Sequence, residues 1–177
     1  MVLHTKTNGT AISLSNIKFS WGPAKSDFQL KINNFQLQRQ ESAILVGPSG
    51  AGKSTLLSLI CGTIQPKEGS VKILDQTTEN KSAAEKDSFR ADHLGIIFQQ
   101  FNLIPYLSAV DNVLLPLHFS CNRKKRSGET QSKLVQEAER LLRALGIAPE
   151  TLGKQKANTL SIGQQQRVAA ARAFIGS

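Results

Sequence analysis

Apolar and polar residues alternate along the first part of the chain, and this pattern predicts β-strands with one solvent-facing side. Residues 11–21 read AISLSNIKFSW and are followed by Gly22-Pro23, which is a turn signal. The alternation returns over 28–32 and 35–37, on either side of Asn33-Asn34. We therefore expect antiparallel strands in this region.

Two other runs are continuously apolar. Residues 43–46 read AILV and residues 94–98 read LGIIF. A continuous apolar run of this length is typical of a strand buried on both faces, as in a parallel sheet. A further short strand is expected over 69–75, and residues 76–92 are predicted to form a loop or a solvated helix.

Helical spacing predicts three helices. The first spans 53–61, with Leu56, Leu57 and Ile60 on one face, and closes at Gly62. The second spans 129–145 and closes at Gly146, and the third spans 163–173. In the second, apolar residues recur at helical spacing: Leu134, Ala138, Leu141, Leu142 and Leu145. The pattern as a whole predicts an α/β core followed by a mostly helical segment from about Gln99.

Composition bounds the class of protein. The 177 residues suit one domain, with or without a small insertion, and 40% of them are hydrophobic, as in a soluble globular chain. Cys61 and Cys121 are the only cysteines, which disfavours a disulfide framework and fits a reducing cytosol. No run approaches the 18 or so apolar residues of a membrane span. Residues 1–6 do not resemble a signal peptide.

The charge is strongly positive, with 22 Lys+Arg against 13 Asp+Glu and a net charge of +9. A basic surplus is compatible with a nucleic-acid partner. The densest cluster, Arg123-Lys124-Lys125-Arg126, has no interleaved aromatic residues to stack on bases. We therefore predict a solvated loop there and no nucleic-acid site.

A phosphate-binding motif stands directly after the first buried run. Residues 47–55 read GPSGAGKST and match G-x-x-x-x-G-K-[ST], the Walker A loop of P-loop NTPases. Its glycines let backbone N–H groups surround phosphate oxygens, its lysine reaches the β- and γ-phosphates, and the hydroxyl of Ser54 can ligand Mg²⁺. The predicted ATP site comprises Gly47, Pro48, Ser49, Gly50, Ala51, Gly52, Lys53, Ser54 and Thr55.

A second motif lies at the start of the last helix. Leu160, Ser161, Ile162, Gly163 and Gln164 are followed by RVAAARA over 167–173. A loop–helix junction with Ser and Gly suits an anion, because a hydroxyl, backbone N–H groups and the helix dipole converge there. Together with the phosphate loop, these residues resemble the ATP-binding subunits of ABC transporters, whose signature is usually LSGGQ followed by RVAIARA. Ile162 stands where glycine is usual.

The resemblance runs from about residue 11 to the end and implies a P-loop NTPase fold of the ABC type. Such a fold has a RecA-like sheet, an antiparallel β subdomain and a helical subdomain, and here the C-terminal part of the core is missing. The implied domains are a nucleotide-binding α/β core over 1–98, the Q-loop and helical subdomain over 99–159, and the signature with the start of its helix over 160–177.

The resemblance also implies roles for single residues. Gln99 matches the Q-loop glutamine, which ligands Mg²⁺ or orients water and senses the membrane partner, and Gln100 is the alternative. Trp21 matches the aromatic that stacks on adenine, and Phe19 is a weaker candidate. The signature binds the γ-phosphate of ATP held by the opposite subunit, so a head-to-tail homodimer across ATP is implied.

The segment 101–113 resembles one branch of the family, the ATPases of lipoprotein-releasing and macrolide-exporting transporters. In the family this region receives a short coupling helix from the membrane subunit. The alternative is that its apolar residues simply pack the helical subdomain.

The family's catalytic groups have no counterpart in these residues. No Asp, Glu or His follows Glu150, so the Walker B Asp-Glu pair and the switch histidine are absent. We expect a fragment, an interrupted gene product or a shortened expression product that exposes apolar strand edges. We also expect that it does not turn over ATP by itself.

The resemblance implies an ATP-binding subunit of an ABC transporter, an ATP hydrolase by family, which binds Mg-ATP and couples dimerisation and hydrolysis to transport. It is implied to be cytoplasmic and peripheral on the inner face of the cell membrane, through its transmembrane partner. Two alternatives remain open at this point: a non-hydrolysing or vestigial ATP-binding module, and a soluble ABC protein acting on nucleic acid.

Overall fold

A computed structural model describes residues 9–22, 28–77, 79 and 81–177. The chain divides into two compact units, Met1–Lys86 and Asp87–Ser177. The N-terminal residues 1–6, in which no leader was recognised, and Pro23, which was predicted to end the first strand, lie outside the described residues.

The first unit contains a four-stranded antiparallel sheet. Its strands are β1 (Thr10–Ser20), β2 (Gln29–Gln38), β3 (Glu68–Ile73) and β4 (Gln76–Thr77), in the order β2-β1-β3-β4. The predicted alternation is confirmed, and the two expected segments on either side of Asn33-Asn34 form the single strand β2. The side chains that alternate inwards are buried: Leu14, Ile17, Phe19, Val71 and Ile73.

The sheet depends on one glycine where β3 passes β1. Gly69 has φ +92°, and a Cβ atom built on it lies 2.4 Å from the carbonyl oxygen of Asn16. The β1–β3 register shifts between Ser15 and Lys18, and Asn16 itself has φ 50°. The two backbones therefore approach more closely than any side chain at position 69 permits.

Helix α1 spans Lys53–Ile60 and contacts β3. It ends at Cys61, and Gly62 follows with φ 67°, so the predicted glycine closure is confirmed. The predicted apolar face is wrong at one position, because Leu57 is 55% exposed whereas Leu59 is buried.

The two predicted buried strands are not strands in the described residues. Neither 43–46 nor 94–98 has strand structure, and Ile44 and Val46 are 88% and 84% exposed. An apolar run forms a doubly buried strand only where partner strands pair with it on both sides. No described strand pairs with either run, so the parallel part of the expected sheet is not formed.

The second unit is helical, as predicted from about Gln99 onwards. Helix α2 (Ala83–His93) crosses the boundary between the two units, and two short 3-10 turns lie at Leu115–His118 and Ala157–Thr159. The remaining helices are α3 (Ala109–Leu114), α4 (Cys121–Ser127), α5 (Gln131–Ala144), α6 (Pro149–Leu152) and α7 (Ile162–Phe174).

Helices α3, α5 and α7 pack against one another around one apolar core. The three predicted core positions of α5 that are most completely buried are Leu134, Ala138 and Leu142. Asn112 is also fully buried and donates to the carbonyls of Ile104, Leu107 and Ser108. One polar side chain therefore fixes the loop that precedes α3.

The predicted solvated loop at 123–126 is wrong, because this basic run belongs to α4. Arg123 is only 3% exposed and donates to the carbonyl oxygens of Ala173 (3.3 Å) and Ile175 (3.1 Å). Arg126 donates to the carbonyl of Gly176 (2.6 Å). The last carbonyls of a helix lack intrahelical partners and form the negative end of its dipole, so they attract these guanidinium groups.

Among the described residues, no helix combines the length and the apolar character needed to cross a membrane.

Candidate functional site

The phosphate loop leads directly into α1, and the helix is left without a cap. Its N-cap residue is Gly52, which has φ 89° and no side chain to accept a hydrogen bond, and its first turn contains no acidic residue. The first N–H groups of a helix have no intrahelical partners. They are therefore available to an anion, and the helix dipole favours negative charge at the same place.

Two positive-φ glycines shape the loop. Gly50 has φ +81° and open space around its Cβ position, whereas a Cβ atom on Gly52 lies 2.5 Å from Cζ of Phe28. Gly52 is thus fixed by both backbone conformation and a packed ring. Phe28 was predicted only as a strand residue, and its contact with the loop had no signal in the local sequence.

The ammonium group of Lys53 is folded back over the loop. Its Nζ donates to the carbonyls of Gly47 and Pro48, both at 2.7 Å. The positive charge is therefore held on the same loop that carries the positive-φ glycines and leads to the uncapped amides of α1. The loop residues 41–50 are exposed throughout, and Lys53 itself is partly exposed.

Trp21 shares a pocket with the phosphate loop. This pocket has a volume of about 510 Å³ and is lined by Trp21, Phe28, Ser49, Gly50, Gly52, Lys53, Ser54 and Thr55. The Trp21 ring is 64% exposed and meets Phe19 edge-on, with centroids 5.0 Å apart. Phe19 is itself buried in the sheet, so of the two predicted aromatics Trp21 is the one with an accessible face.

The signature residues begin α7 with a reciprocal cap. The side chain of Ser161 accepts from the N–H of Gln164 at 3.3 Å, and the Gln164 side chain accepts from the N–H of Ser161 at 2.8 Å. Leu160 is buried in the helical core. The first turn of α7 is therefore held by its own side chains, unlike the first turn of α1.

Isoleucine at position 162, where the signature usually has glycine, causes no backbone strain. Ile162 is the first residue of α7, is not among the positive-φ residues, and is 76% exposed. Gly163 follows, and a Cβ atom built on it meets nothing within 4 Å. Neither packing nor backbone conformation in this unit requires glycine at position 163.

Gln99 and Gln100 form a turn after the 94–98 run, and both are exposed. The next two residues, Phe101 and Asn102, have φ 59° and 48°. Their carbonyl oxygens accept from Nη2 and Nη1 of Arg172, both at 2.6 Å. Burial lowers the pKa of Arg172, and sequence reasoning had assigned this arginine no contact.

The described units hold the predicted residues in two separate groups. Trp21 and residues 47–55 belong to the first unit, and Gln99 and residues 160–164 belong to the second.

Comparison with known proteins matches this geometry to one family. The family profile described as ABC transporter matches residues 30–177. An uncharacterized ABC transporter ATP-binding protein of Methanocaldococcus jannaschii, MJ0796, is 43% identical over 149 residues, which are 83% of this chain and 60% of that protein.

Solved structures agree. A dimeric post-hydrolysis state of the ATP-binding cassette MJ0796 bound to ADP and Pi superposes with a TM-score of 0.81 at 37% identity, covering 93% of this chain and 69% of that one. CbiO1 from Clostridium perfringens, part of the ABC transporter complex cbiONQ, has a TM-score of 0.75 over 95% of this chain and 62% of its own. At 22% identity, this second likeness shows the fold alone. The 177 residues thus span about 60% of the length of the MJ0796 protein.

Proposed function

The chain belongs to the ABC transporter family, and on that premise we propose that it is an ATP-binding subunit that binds Mg-ATP and couples ATP-driven dimerisation to a membrane partner. The observation that carries the proposal is the uncapped start of α1, with Gly50 and Gly52 in left-handed conformations and the Lys53 ammonium over the same loop. Open amides, a positive helix end and a cation on one loop are what a polyphosphate requires.

The proposed nucleotide site uses the pocket beside the loop. Trp21 presents an exposed ring at one side of this pocket, and the phosphate loop forms another. An aromatic face stacks on any base, so we assign Trp21 to the adenine and residues 47–55 to the phosphates.

The residue types proposed to bind magnesium suit that ion. Ser54 is exposed in the first turn of α1, and Gln99 is exposed in the second unit. A hydroxyl and an amide oxygen are hard oxygen ligands of the kind that Mg²⁺ accepts beside nucleotide phosphates. When bound, the ion supplies charge neutralisation at the phosphates, and we propose these two residues as its protein ligands.

The signature is proposed to bind the ATP of a second copy in a head-to-tail homodimer. Gly163 supports this assignment, because the fold itself leaves its Cβ position empty. A glycine that packing does not require is expected where a ligand or another backbone approaches closely. We also propose the domain division 1–98, 99–159 and 160–177 on the basis of these motif positions.

The membrane partner is proposed to contact the segment 101–113. Tyr106 is 71% exposed there, whereas Ala109, Asn112 and Val113 are buried in the helical unit. Part of the segment therefore packs and part is available to a short helix of the partner. Such a complex makes the chain peripheral on the cytoplasmic face of the membrane.

Of the two alternatives, the nucleic-acid module has less support from the contacts of α4. Arg123 and Arg126 bind backbone carbonyls at the end of α7, so half of the basic run is engaged within its own unit. For the other alternative, we propose that these 177 residues bind ATP without appreciable turnover, since no carboxylate follows Glu150 to orient the attacking water.

The proposal is tested by titrating the chain with Mg-ATP in a calorimeter. Lys53→Ala should weaken binding at least about tenfold, because it removes the loop's positive charge from the phosphates. Lys72→Ala is the matched control, since Lys72 is an exposed lysine on β3 of the same unit. Its dissociation constant should stay close to that of the parent.

Two results would contradict the proposal. One is a folded parent chain that does not bind Mg-ATP, and the other is equal weakening by Lys53→Ala and Lys72→Ala. Phosphate release by the parent at a rate typical of ABC transporter ATPases would contradict the expectation of binding without turnover.

A further inference from the structure

The side chain of Trp21 lies just beyond the end of its strand. Strand β1 ends at Ser20, and its pairing with β2 runs as far as Ser20 opposite Gln29. Trp21 follows, is 64% exposed, and lies at one side of the pocket that contains the phosphate loop. A side chain that is ordered only on binding costs affinity, so a ring that is held in place beforehand binds more tightly.

Hydrogen bonds join the two residues on either side of Trp21. The hydroxyl of Ser20 donates to the carbonyl oxygen of Gly22 at 2.9 Å. The ammonium of Lys67 donates to both of these oxygen atoms, at 2.6 Å to Oγ of Ser20 and at 3.0 Å to the carbonyl of Gly22. Hydrogen bonds from a charged donor are stronger than neutral ones. These three bonds, the Lys67 clip, restrain the chain on both sides of Trp21.

Lys67 reaches the clip from a neighbouring strand. It directly precedes β3, and its N–H donates to the carbonyl of Lys18 on β1 at 2.8 Å. The next residue, Glu68, lies opposite Lys18 in the register and forms an ion pair with it at 2.6 Å. The sheet therefore fixes the backbone from which the Lys67 side chain extends, although the bonded residues are 45 and 47 positions apart in the sequence.

A buried ring supports Trp21 as well. Phe19 is 8% exposed, and its ring meets that of Trp21 edge-on, with an interplanar angle of 89°. Edge-to-face pairs of this kind are favourable for aromatic rings. The clip acts on the backbone and Phe19 acts on the ring, so the orientation of Trp21 is restrained before any ligand binds.

Lys67 itself stays apart from the phosphate loop. Trp21 and Lys53 line the pocket beside the loop, and Lys67 is not among its lining residues. Its ammonium is engaged by Ser20 and Gly22 instead. We therefore expect Lys67 to affect the base of a bound nucleotide, through Trp21, and to have little effect on the phosphates.

We propose that Lys67 is a positioning residue that holds Trp21 in the orientation in which it stacks on the base of the nucleotide. The proposal rests on the proposed function, in which Trp21 binds adenine. The clip is present without nucleotide, so the hold on Trp21 can be measured separately from binding.

The experiment compares Mg-ATP with Mg-tripolyphosphate, which has three linked phosphates and no base, by calorimetry on the full 177-residue chain. Lys67→Met removes the ammonium and keeps an unbranched side chain, whereas Lys67→Arg keeps a cationic donor. Lys31→Met is the matched control, because Lys31 is an exposed lysine on β2, opposite Lys18 in the register. Trp21→Ala, alone and combined with Lys67→Met, tests whether the lysine acts through the ring.

Lys67→Met should weaken the binding of Mg-ATP about threefold to tenfold, since one large side chain is no longer held before binding. Its dissociation constant for Mg-tripolyphosphate should stay within about twofold of the parent value, because a distant exposed charge is screened. Lys67→Arg should restore the affinity for Mg-ATP, and Lys31→Met should leave both constants unchanged. The combined variant should bind Mg-ATP no more weakly than Trp21→Ala alone, because the two residues act as one unit.

The hold itself is measured without nucleotide. Trp21 is the single tryptophan of the chain, so the decay of its fluorescence anisotropy reports the motion of this ring alone. The amplitude of the nanosecond motion should increase in Lys67→Met and should equal the parent value in Lys67→Arg and Lys31→Met.

Several results would overturn the proposal. They are an equal loss of affinity for Mg-ATP and Mg-tripolyphosphate in Lys67→Met, a further loss when Lys67→Met is added to Trp21→Ala, and parent-like motion of Trp21 in Lys67→Met. Unfolding of Lys67→Met would make Lys67 a support of the whole sheet and would also overturn its positioning role. If the parent binds neither ligand, the proposed function fails, and the anisotropy comparison still decides whether Lys67 holds Trp21.

Discussion

Two helices of this chain begin at a glycine- and serine-containing motif, and their first turns are built in opposite ways. Helix α1 starts at Gly52, a residue in a left-handed conformation with no capping side chain. Helix α7 starts at Ser161, which forms a reciprocal cap with Gln164. The first arrangement leaves backbone amides open, and the second already satisfies two of them.

The difference extends to what supports each helix. Helix α1 has eight residues, of which Thr55 and Leu59 are buried, and it follows a loop that is exposed from 41 to 50. Helix α7 has 13 residues, packs on α3 and α5, and has its far end bound by Arg123 and Arg126. Uncapped backbone amides are thus found on the weakly supported helix, and capped ones on the well-packed helix.

The largest effect is expected from Gly52→Ala. The substitution forces a side chain into φ 89° and places its Cβ atom 2.5 Å from Phe28, so it should destabilise the first unit by about 2–4 kcal/mol. Urea unfolding followed by the fluorescence of Trp21, the single tryptophan of the chain, measures this unit.

Gly50→Ala is the control for the clash. Gly50 has a similar φ of +81° but nothing near its Cβ position, so only the conformational cost of about 1–2 kcal/mol should appear. Equal losses in the two variants would mean that contact with Phe28 does not shape the loop.

These details show how far sequence reasoning carries. The spacing of residues 47–55 and 160–164 located both motifs, and the helical periodicity located α5 and its buried face. Such features are local, because each is set by residues within a few turns of one another.

The errors share a different cause. Residues 43–46 and 94–98 have the apolar character of buried strands, but strand formation needs partners that no described residue provides. Arg123 was predicted to be one charge of a solvated loop. It is buried instead, and it donates to the carbonyl of Ala173, which lies 50 residues further along the chain. The same holds for Arg172 and the 101–102 turn, since long-range partners leave no trace in a local pattern.

The second prediction concerns the cap of α7. Ser161→Ala removes the acceptor for the Gln164 N–H and should destabilise the helical unit by about 1 kcal/mol. Far-ultraviolet ellipticity during urea unfolding measures the helical unit most directly. Ser161→Asn keeps an equivalent acceptor and should restore the parent midpoint; a midpoint as low as that of Ser161→Ala would show that the capping box adds no stability.

The third prediction is a gain in stability, whereas the first two are losses. Gly163→Ala places a methyl group in open space within α7, and alanine is the better helix former, so the helical unit should gain up to about 1 kcal/mol. A stabilised unit that no longer assembles with Mg-ATP, judged by sedimentation, would assign the glycine to a partner's approach. A loss of stability instead would mean that the added methyl group clashes with a neighbouring group in the folded chain.

The smallest effect is expected from the pH dependence of Asp92. Its carboxylate accepts hydrogen bonds from Ser120 and Asn122 at the start of α4, the helix that carries Arg123 and Arg126. Burial alone raises the pKa of Asp92, but hydrogen bonds from Ser120 and Asn122 outweigh it, and the net pKa is lowered. Because the unfolded chain binds the proton first, the stabilisation is complete above the unfolded value of about 3.9 and is lost as pH falls through the folded value.

The measurable quantity is the difference in unfolding free energy between the parent chain and Asp92→Asn. It should be below about 1 kcal/mol at neutral pH, since the carboxyl is partly exposed, and should shrink as the solution is acidified below about pH 4. The difference is needed because the pKa values of Glu137 and Glu150 are also lowered by hydrogen bonds from arginines, and they add their own acid dependence. A difference that does not change between neutral and acid pH would show that Asp92 does not bind α4 through its charge. The contacts of Arg123 and Arg126 with the last carbonyls of α7 would then remain without help from the charge of Asp92, which would narrow the contrast with α1.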